Sequence, residues 1–324
     1  MTAVICTRNR PAMAARALDS LLAQQPPLSD ILIVDNAPDH DTLRLVAETY
    51  APAVRYVYEP VPGLNMARNR ALREARGEVL AFLDDDAVAD PAWAAALLAP
   101  FLADPRTAVC TGRVEPLSQS TLAQRLFEAN GGFSRGLERL DLPADRRRPL
   151  HGRRAPLIAW AVSVGSGASF AVRRSAAQAA GGFDEALDLG AALPGGGDHD
   201  MFWRMLSSGR TLTYEPAALA WHEHRWEPRA LAAQLAGHQR GLVAFLCKTA
   251  ARERGRRRIE ILAFLLWRLV KPGVRLLRRA AGRDPLPAAV LARMWLETWR
   301  GLWAYGAARR IAAARREAAG PEPA

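Results

Sequence analysis

Glu78 to Pro91 reads EVLAFLDDDAVADP. The apolar run Val79 to Leu83 is followed at once by three carboxylates, Asp84, Asp85 and Asp86. A short apolar run closed by charge suits a buried strand, and the residues upstream agree. Thr2–Cys6 (TAVIC) predicts a first strand, and Pro11–Gln25, with Ala14, Leu18, Leu21 and Leu22 on one face, a helix. Asp30–Asn36 (DILIVDN) predicts a second strand and Asp41–Tyr50 a second helix. Val54–Glu59 (VRYVYE) and a helix across Met66–Arg76 then lead into the quoted strand. Strands alternating with helices at this spacing predict an α/β protein, its sheet mostly parallel and covered on both faces. Ligands of such sheets bind beyond the carboxyl ends of the strands. Thr7 to Arg10, Asp35 and the three aspartates all fall there.

Composition bounds the reading further. The chain has 324 residues, 50% of them hydrophobic and 24% charged, enough to bury a sizeable core. Cys6, Cys110 and Cys247 lie far apart with no CxxC pair, which fits neither a disulfide framework nor a zinc cage and points to a reducing, cytoplasmic setting. No basic region leads into an apolar stretch at the start, so no secretory signal is expected. The net charge of +11 is uneven: from Arg225 onward 21 Lys/Arg face 7 Asp/Glu, a net +14, which leaves −3 for the first 224 residues. Nucleic-acid binders usually spread basic charge over a folded reading surface, so no nucleic-acid partner is expected.

Closely spaced carboxylates at a strand end suit a hard divalent cation, because Mg²⁺ takes one or two carboxylates and completes its shell with phosphate and water. The same three residues suit a solvated turn or an N-cap for a helix starting near Pro91. The residues alone leave both open.

Seven segments in order resemble inverting glycosyltransferases of family 2, which have the GT-A fold and use nucleotide-sugar donors: VICTRNRP, ILIVDNAPDHDT, GLNMARNRALREARGEVLAFLDDDAVADP, GSGASFAVRR, GGFDEAL, GGGDHDMFWRML and PAALAWHEHR. They cover about residues 2 to 226. The resemblance implies a GT-A type Rossmann-like mixed sheet flanked by helices. Its catalytic domain would be residues 1–226, with a nucleotide-sugar half at 1–115 and an acceptor half at 116–226, followed by a basic, amphipathic helical extension at 227–324.

Carried over position by position, the resemblance makes FLDDDA an Asp-x-Asp motif. Asp84 is then a ribose or phosphate-side residue, Asp86 a direct ligand of Mn²⁺ or Mg²⁺, and Asp85 a further donor-site residue. Asp35 would meet the nucleobase edge, and a carboxylate there accepts equally from uracil, thymine or guanine. Thr7, Arg8, Arg68 and Asn69 join the donor site, whereas Arg10 is read as solvating the start of the first helix. Val162–Arg174 predicts a strand interrupted by glycines, with Ser169 where many such enzymes carry an amide, and Phe183 is a packing anchor. Asp198 is the leading general base and Asp200 the reserve, at the start of a helix near His199 where a carboxylate also favours simple N-capping. His222 aligns best with a histidine completing the metal or diphosphate site, and His224 shares its alternating face. His151 and His238 receive no role.

The function implied is inverting transfer of a hexosyl or deoxyhexosyl group from a nucleotide-diphosphate sugar to a hydroxyl of a saccharide or lipid-linked saccharide. Rival readings are a carboxylate-pair hydrolase and a noncatalytic nucleotide- or carbohydrate-binding protein on the same fold. The tail's longest apolar run, Ile261 to Trp267, is seven residues, against the ~20 a membrane span needs. Basic helices with Trp267, Trp295, Trp299 and Trp303 suit the inner face of a membrane; the alternative is packing on the catalytic domain or on a second subunit in a homo-oligomer.

Overall fold

A computed structural model describes residues 1–143, 145, 150 and 155–320; His151 therefore lies outside the described residues. In chain order the elements are β1 (Thr2–Thr7), α1 (Pro11–Leu22), β2 (Ile31–Asn36), α2 (Thr42–Glu48), β3 (Val54–Glu59), α3 (Leu64–Glu74), β4 (Val79–Asp84), β5 (Ala87–Ala89), α4 (Trp93–Ala103) and β6 (Thr107–Pro116). There follow α5 (Leu122–Ala129), β7 (Leu140–Leu142), α6 (Leu157–Ala161), β8 (Ser169–Arg173), α7 (Arg174–Ala179), α8 (Gly197–Ser207), β9 (Thr211–His222), α9 (Pro228–Arg252), α10 (Gly255–Ala280) and α11 (Ala288–Ala319).

The chain divides into two compact units that do not follow chain order. The first, Met1–Leu117 with Phe133–Asp184 and Met201–Glu223, holds the sheet. Among the described residues its strands run β3-β2-β1-β4-β8-β6-β9-β5, with β7 paired on β9. The four strands expected at the start are all present, and β1 is parallel to both β2 and β4 while β2 is parallel to β3. β1, β2 and β4 are buried nearly end to end because they carry few polar side chains before their carboxyl ends, whereas β3, at the sheet edge, is buried only at its two end residues. The sheet becomes mixed where β8 enters antiparallel between β4 and β6.

The register sets the site. Thr7 lies opposite Asp35, and Cys6 opposite Asp84, so three polar strand ends arrive side by side. At the other end of these strands Asp30 accepts from Thr2 Oγ1 at 2.7 Å and from both Nε and Nη2 of Arg55 at 2.8 and 3.0 Å. These bonds pull the carboxyl of Asp30 below its usual range despite its burial.

The expected strand over Val162–Arg174 is shorter, starting only at Ser169. Gly165 explains why: its φ is +94°, and a Cβ there would come within 2.3 Å of the Thr111 side chain. A chain forced into that conformation cannot continue a ladder. Ser169 is a packing residue, its Oγ accepting from Trp93 Nε1 at 2.8 Å. Phe183 is buried as expected, edge-on to Phe82 at 5.7 Å, and Phe82 stacks on Phe170 at 5.0 Å.

The second unit gathers Ser118–Gly132, Glu185–Asp200 and His224–Ala324. It contains α5, the loop entering α8, and the three long C-terminal helices. Among the described residues no helix is long and apolar enough to cross a membrane.

Candidate active site

Asp84 ends β4, Asp85 and Asp86 form the turn, and β5 starts at Ala87. The helix expected near Pro91 begins at Trp93, with Ala92 as its N-cap and no side-chain cap bond, so capping does not account for these acids. Pairing of β5 with the end of β9 sets Ala87 opposite His222, and the Glu223 amide donates to the Asp86 carbonyl at 2.8 Å. This return of β9 delivers an imidazole to the aspartates from 136 residues further along the chain. His222 Nε2 lies 3.0 Å from Asp86 Oδ1, its ring edge-on to Phe133 at 5.1 Å. One ligand atom from each of Asp84, Asp86 and His222 falls within 4.8 Å of the others.

Asp85 is turned to different partners. It accepts from Thr7 Oγ1 at 2.6 Å and from Arg10 Nη1 at 3.0 Å. Arg10 also reaches Asp86 Oδ2 at 3.3 Å, which corrects the expectation that it merely solvates a helix start. Burial first, and the neighbouring Asp86 second, push the Asp84 carboxyl up to about 7. Burial likewise raises Asp85 against the opposing pull of Arg10. Carboxylates gathered where their charge is this poorly solvated, with an imidazole among them, form a donor set suited to Mn²⁺ or Mg²⁺.

Asp35 is fully buried at the end of β2. Its Oδ2 accepts from Tyr56 Oη at 2.9 Å, while Oδ1 has no hydrogen-bond partner among the described residues. Burial raises its pKa, opposed by that Tyr56 bond. A buried oxygen without a donor is costly unless something supplies one, and a nucleobase ring N–H would do so.

Arg68 is buried over the rings of Phe170 and Phe183, at 5.3 and 5.6 Å, and donates to Asn65 Oδ1 at 3.2 Å and the Gly167 carbonyl at 3.3 Å. Asn69 does something else. Its Nδ2 donates to the Phe183 carbonyl at 2.9 Å and its Oδ1 accepts from the Phe183 amide at 2.7 Å, so both ends of the amide hold a turn. Arg8 stands outside the cluster, exposed, with Nη2 3.4 Å from Asp39.

Asp198 and Asp200 belong to the second unit, on the first turn of α8. Gly195 and Gly196, at φ +91° and +98°, lead into it. Asp198 Oδ1 accepts from the His199 amide at 2.8 Å. Asp200 is buried and ion-paired with Lys248 of α9, whose ammonium also lies 5.8 Å from the Tyr305 ring. His199, expected to point outward, has a buried Nδ1 and sits 6.2 Å from Phe245. His224 is turned to other partners than His222: its Nε2 lies 2.7 Å from Glu128 and its ring 4.5 Å from Phe127.

The model of glycosyl transferase family 2 matches residues 2–181. The chain belongs to that family. Among its curated relatives, N-acetylgalactosaminyltransferase 6 of Drosophila melanogaster is 30% identical over 222 residues, 65% of this chain and 32% of that protein. Pre-mycofactocin glycosyltransferase of Mycobacterium tuberculosis is 29% identical over 234 residues, 71% of this chain and 44% of that one. The chain thus spans a third to under half of the length of these relatives. Among solved structures, the mannosyltransferase PcManGT from Pyrobaculum calidifontis, in complex with GDP-Man and Mn²⁺, superposes with a TM-score of 0.57 at 20% identity, over 97% of this chain and 83% of that one. The fold is therefore the GT-A type.

Proposed function

We propose that this family 2 chain is an inverting glycosyltransferase that moves a hexosyl or deoxyhexosyl group from a nucleotide-diphosphate sugar to a hydroxyl of a saccharide or lipid-linked saccharide. The observation that carries this reading is the convergence of Asp84, Asp86 and His222 at the strand ends. Similarity to PcManGT, which holds GDP-Man and Mn²⁺, supports it.

In this reading Asp86 and His222 hold a divalent cation, with Asp84 beside it on the ribose or phosphate side. Such an ion neutralises charge on a diphosphate leaving group. Asp35 offers Oδ1 to a ring N–H of the base. Thr7 and Arg10 fix Asp85, and through it the turn that presents its two neighbours. The Arg68 guanidinium adds positive charge near Asp84, whose pKa it pulls down. Asp198 takes the proton from the attacking hydroxyl, which contributes roughly 10²- to 10⁴-fold. Asp200 already receives the Lys248 ammonium and serves to hold the start of α8, so it leaves the base role to Asp198. A cytoplasmic enzyme at the inner face of a membrane would meet lipid-linked acceptors, and the basic C-terminal charge supports that placing.

Thermal shift with UDP, dTDP and GDP and their sugar conjugates, with and without Mn²⁺, tests the proposal. One nucleotide should stabilise the protein in a metal-dependent way. Asp86→Asn should abolish the metal response, whereas Asp198→Asn should keep it and lose turnover. Full metal response in Asp86→Asn would overturn the assignment.

A further inference from the structure

The transferase chemistry uses no side chain of the last two helices, and their basic charge alone does not say which face meets a membrane. On α10, Ile259, Leu262, Leu266 and Val270 are all exposed, Ile259 and Leu266 by more than half. Their spacing of three, four and four places them on one face. On α11, Trp295, Trp299 and Trp303 recur every four residues and are exposed as well, Trp303 by 73%. The two stripes join. Gly273, seven residues after Leu266, lies under the Trp295 indole, where a Cβ would come within 3.3 Å of the ring. The result is one apolar face across two packed helices rather than singly scattered exposed residues.

Charge identifies what covers it. α10 carries eight Lys/Arg and a single acid, Glu260. Arg256, Arg257, Arg258, Arg278 and Arg279 are exposed. A second copy of the chain placed face to face would set like charges against each other, whereas an anionic bilayer complements both the apolar stripe and the arginines. Indoles placed between apolar and basic residues are also the side chains that settle at a lipid–water boundary.

We propose that the α10–α11 face seats this protein on an anionic lipid surface, lying in the interface without crossing it. Its seat does not depend on the transferase reading. The consequence for the acceptor, a saccharide carried on a lipid anchored in the same surface, does rest on that reading.

The test is co-sedimentation of the full chain with vesicles of phosphatidylcholine alone and of an equimolar mixture with phosphatidylglycerol, followed also by tryptophan emission. Binding to the mixed vesicles with a blue shift, weakened by salt, is expected. Leu266→Glu and Trp303→Glu, both at exposed positions, should each lower the vesicle affinity by about tenfold or more. Metal-dependent nucleotide stabilisation should stay unchanged in both, which separates failure of the lipid seat from failure of the donor site. No binding to mixed vesicles, binding indifferent to both substitutions, or a dimer in light scattering that Trp303→Glu dissociates while vesicles bind nothing would overturn the proposal.

Discussion

Asp35 combines two properties that pull in opposite directions. Its carboxylate is buried, with one oxygen unpartnered among the described residues, so folding the charged form is unfavourable, and burial raises its pKa. Below the unfolded-state value both states carry the proton and the penalty is absent; it grows as pH rises toward and through the raised folded value. Asp35→Asn removes the charge while an amide oxygen can still accept from Tyr56. The variant should therefore melt higher than the parent at neutral pH, with the gap closing as pH falls below about 4. It should also present an amide N–H where a base N–H needs an acceptor, costing ~1–3 kcal/mol of nucleotide affinity. Melting curves from acid to neutral pH and nucleotide titrations check both parts, and undiminished affinity would remove Asp35 from the base site. At this scale Asp35, Asp84 and Asp86 were readable because each stands at or just past the end of an apolar strand. Arg10 was not, since its partner Asp85 is 75 residues away and local context shows only a cation at a helix start.

Among the elements, α9 does more than its amphipathic pattern suggested. Gly237, Gly241 and Lys248 lie on one face of it, four and seven residues apart. A Cβ at Gly241 would come within 2.4 Å of the Pro194 carbonyl, and one at Gly237 within 2.9 Å of the Pro194 ring. The helix is thus a seat for the glycine loop, and Lys248 closes the seat on Asp200. Lys248→Met leaves that carboxylate buried and unpaired, which should cost ~3–5 kcal/mol, whereas adding Asp200→Leu should recover most of the loss. The single variant should lower kcat with little change in donor KM, because Asp35 and the Asp84–Asp86 turn rest on the sheet. Denaturant unfolding and steady-state kinetics decide it, and a KM effect alone would speak against a seat. The helices and parallel strands were legible from periodicity. The meeting of β5 with β9 was not, because three residues of Ala-Val-Ala carry no signal for a partner beyond residue 200.

For the whole molecule, the break at Arg225 between a slightly acidic front and a strongly basic tail anticipates only part of the division into two units. Ser118–Gly132 and Glu185–Asp200 come from within the expected catalytic domain yet cluster with the C-terminal helices. Arg275 shows how: its guanidinium grips Asp284 at 2.7 and 2.9 Å and also Asn130, just past α5, at 2.6 Å. Such ties join segments 145 residues apart and leave no trace in local composition. Segments sharing a compact unit tend to open together. Amide hydrogen exchange should therefore group the loop at Glu185–Gly196 and helix α5 with α9, while β1, β2 and β4 exchange more slowly as their own group. Lys248→Met should raise exchange across the first group and leave the second unchanged. If the glycine loop instead keeps the protection of the sheet when Lys248 is removed, its stability comes from the strands and the seat on α9 is incidental.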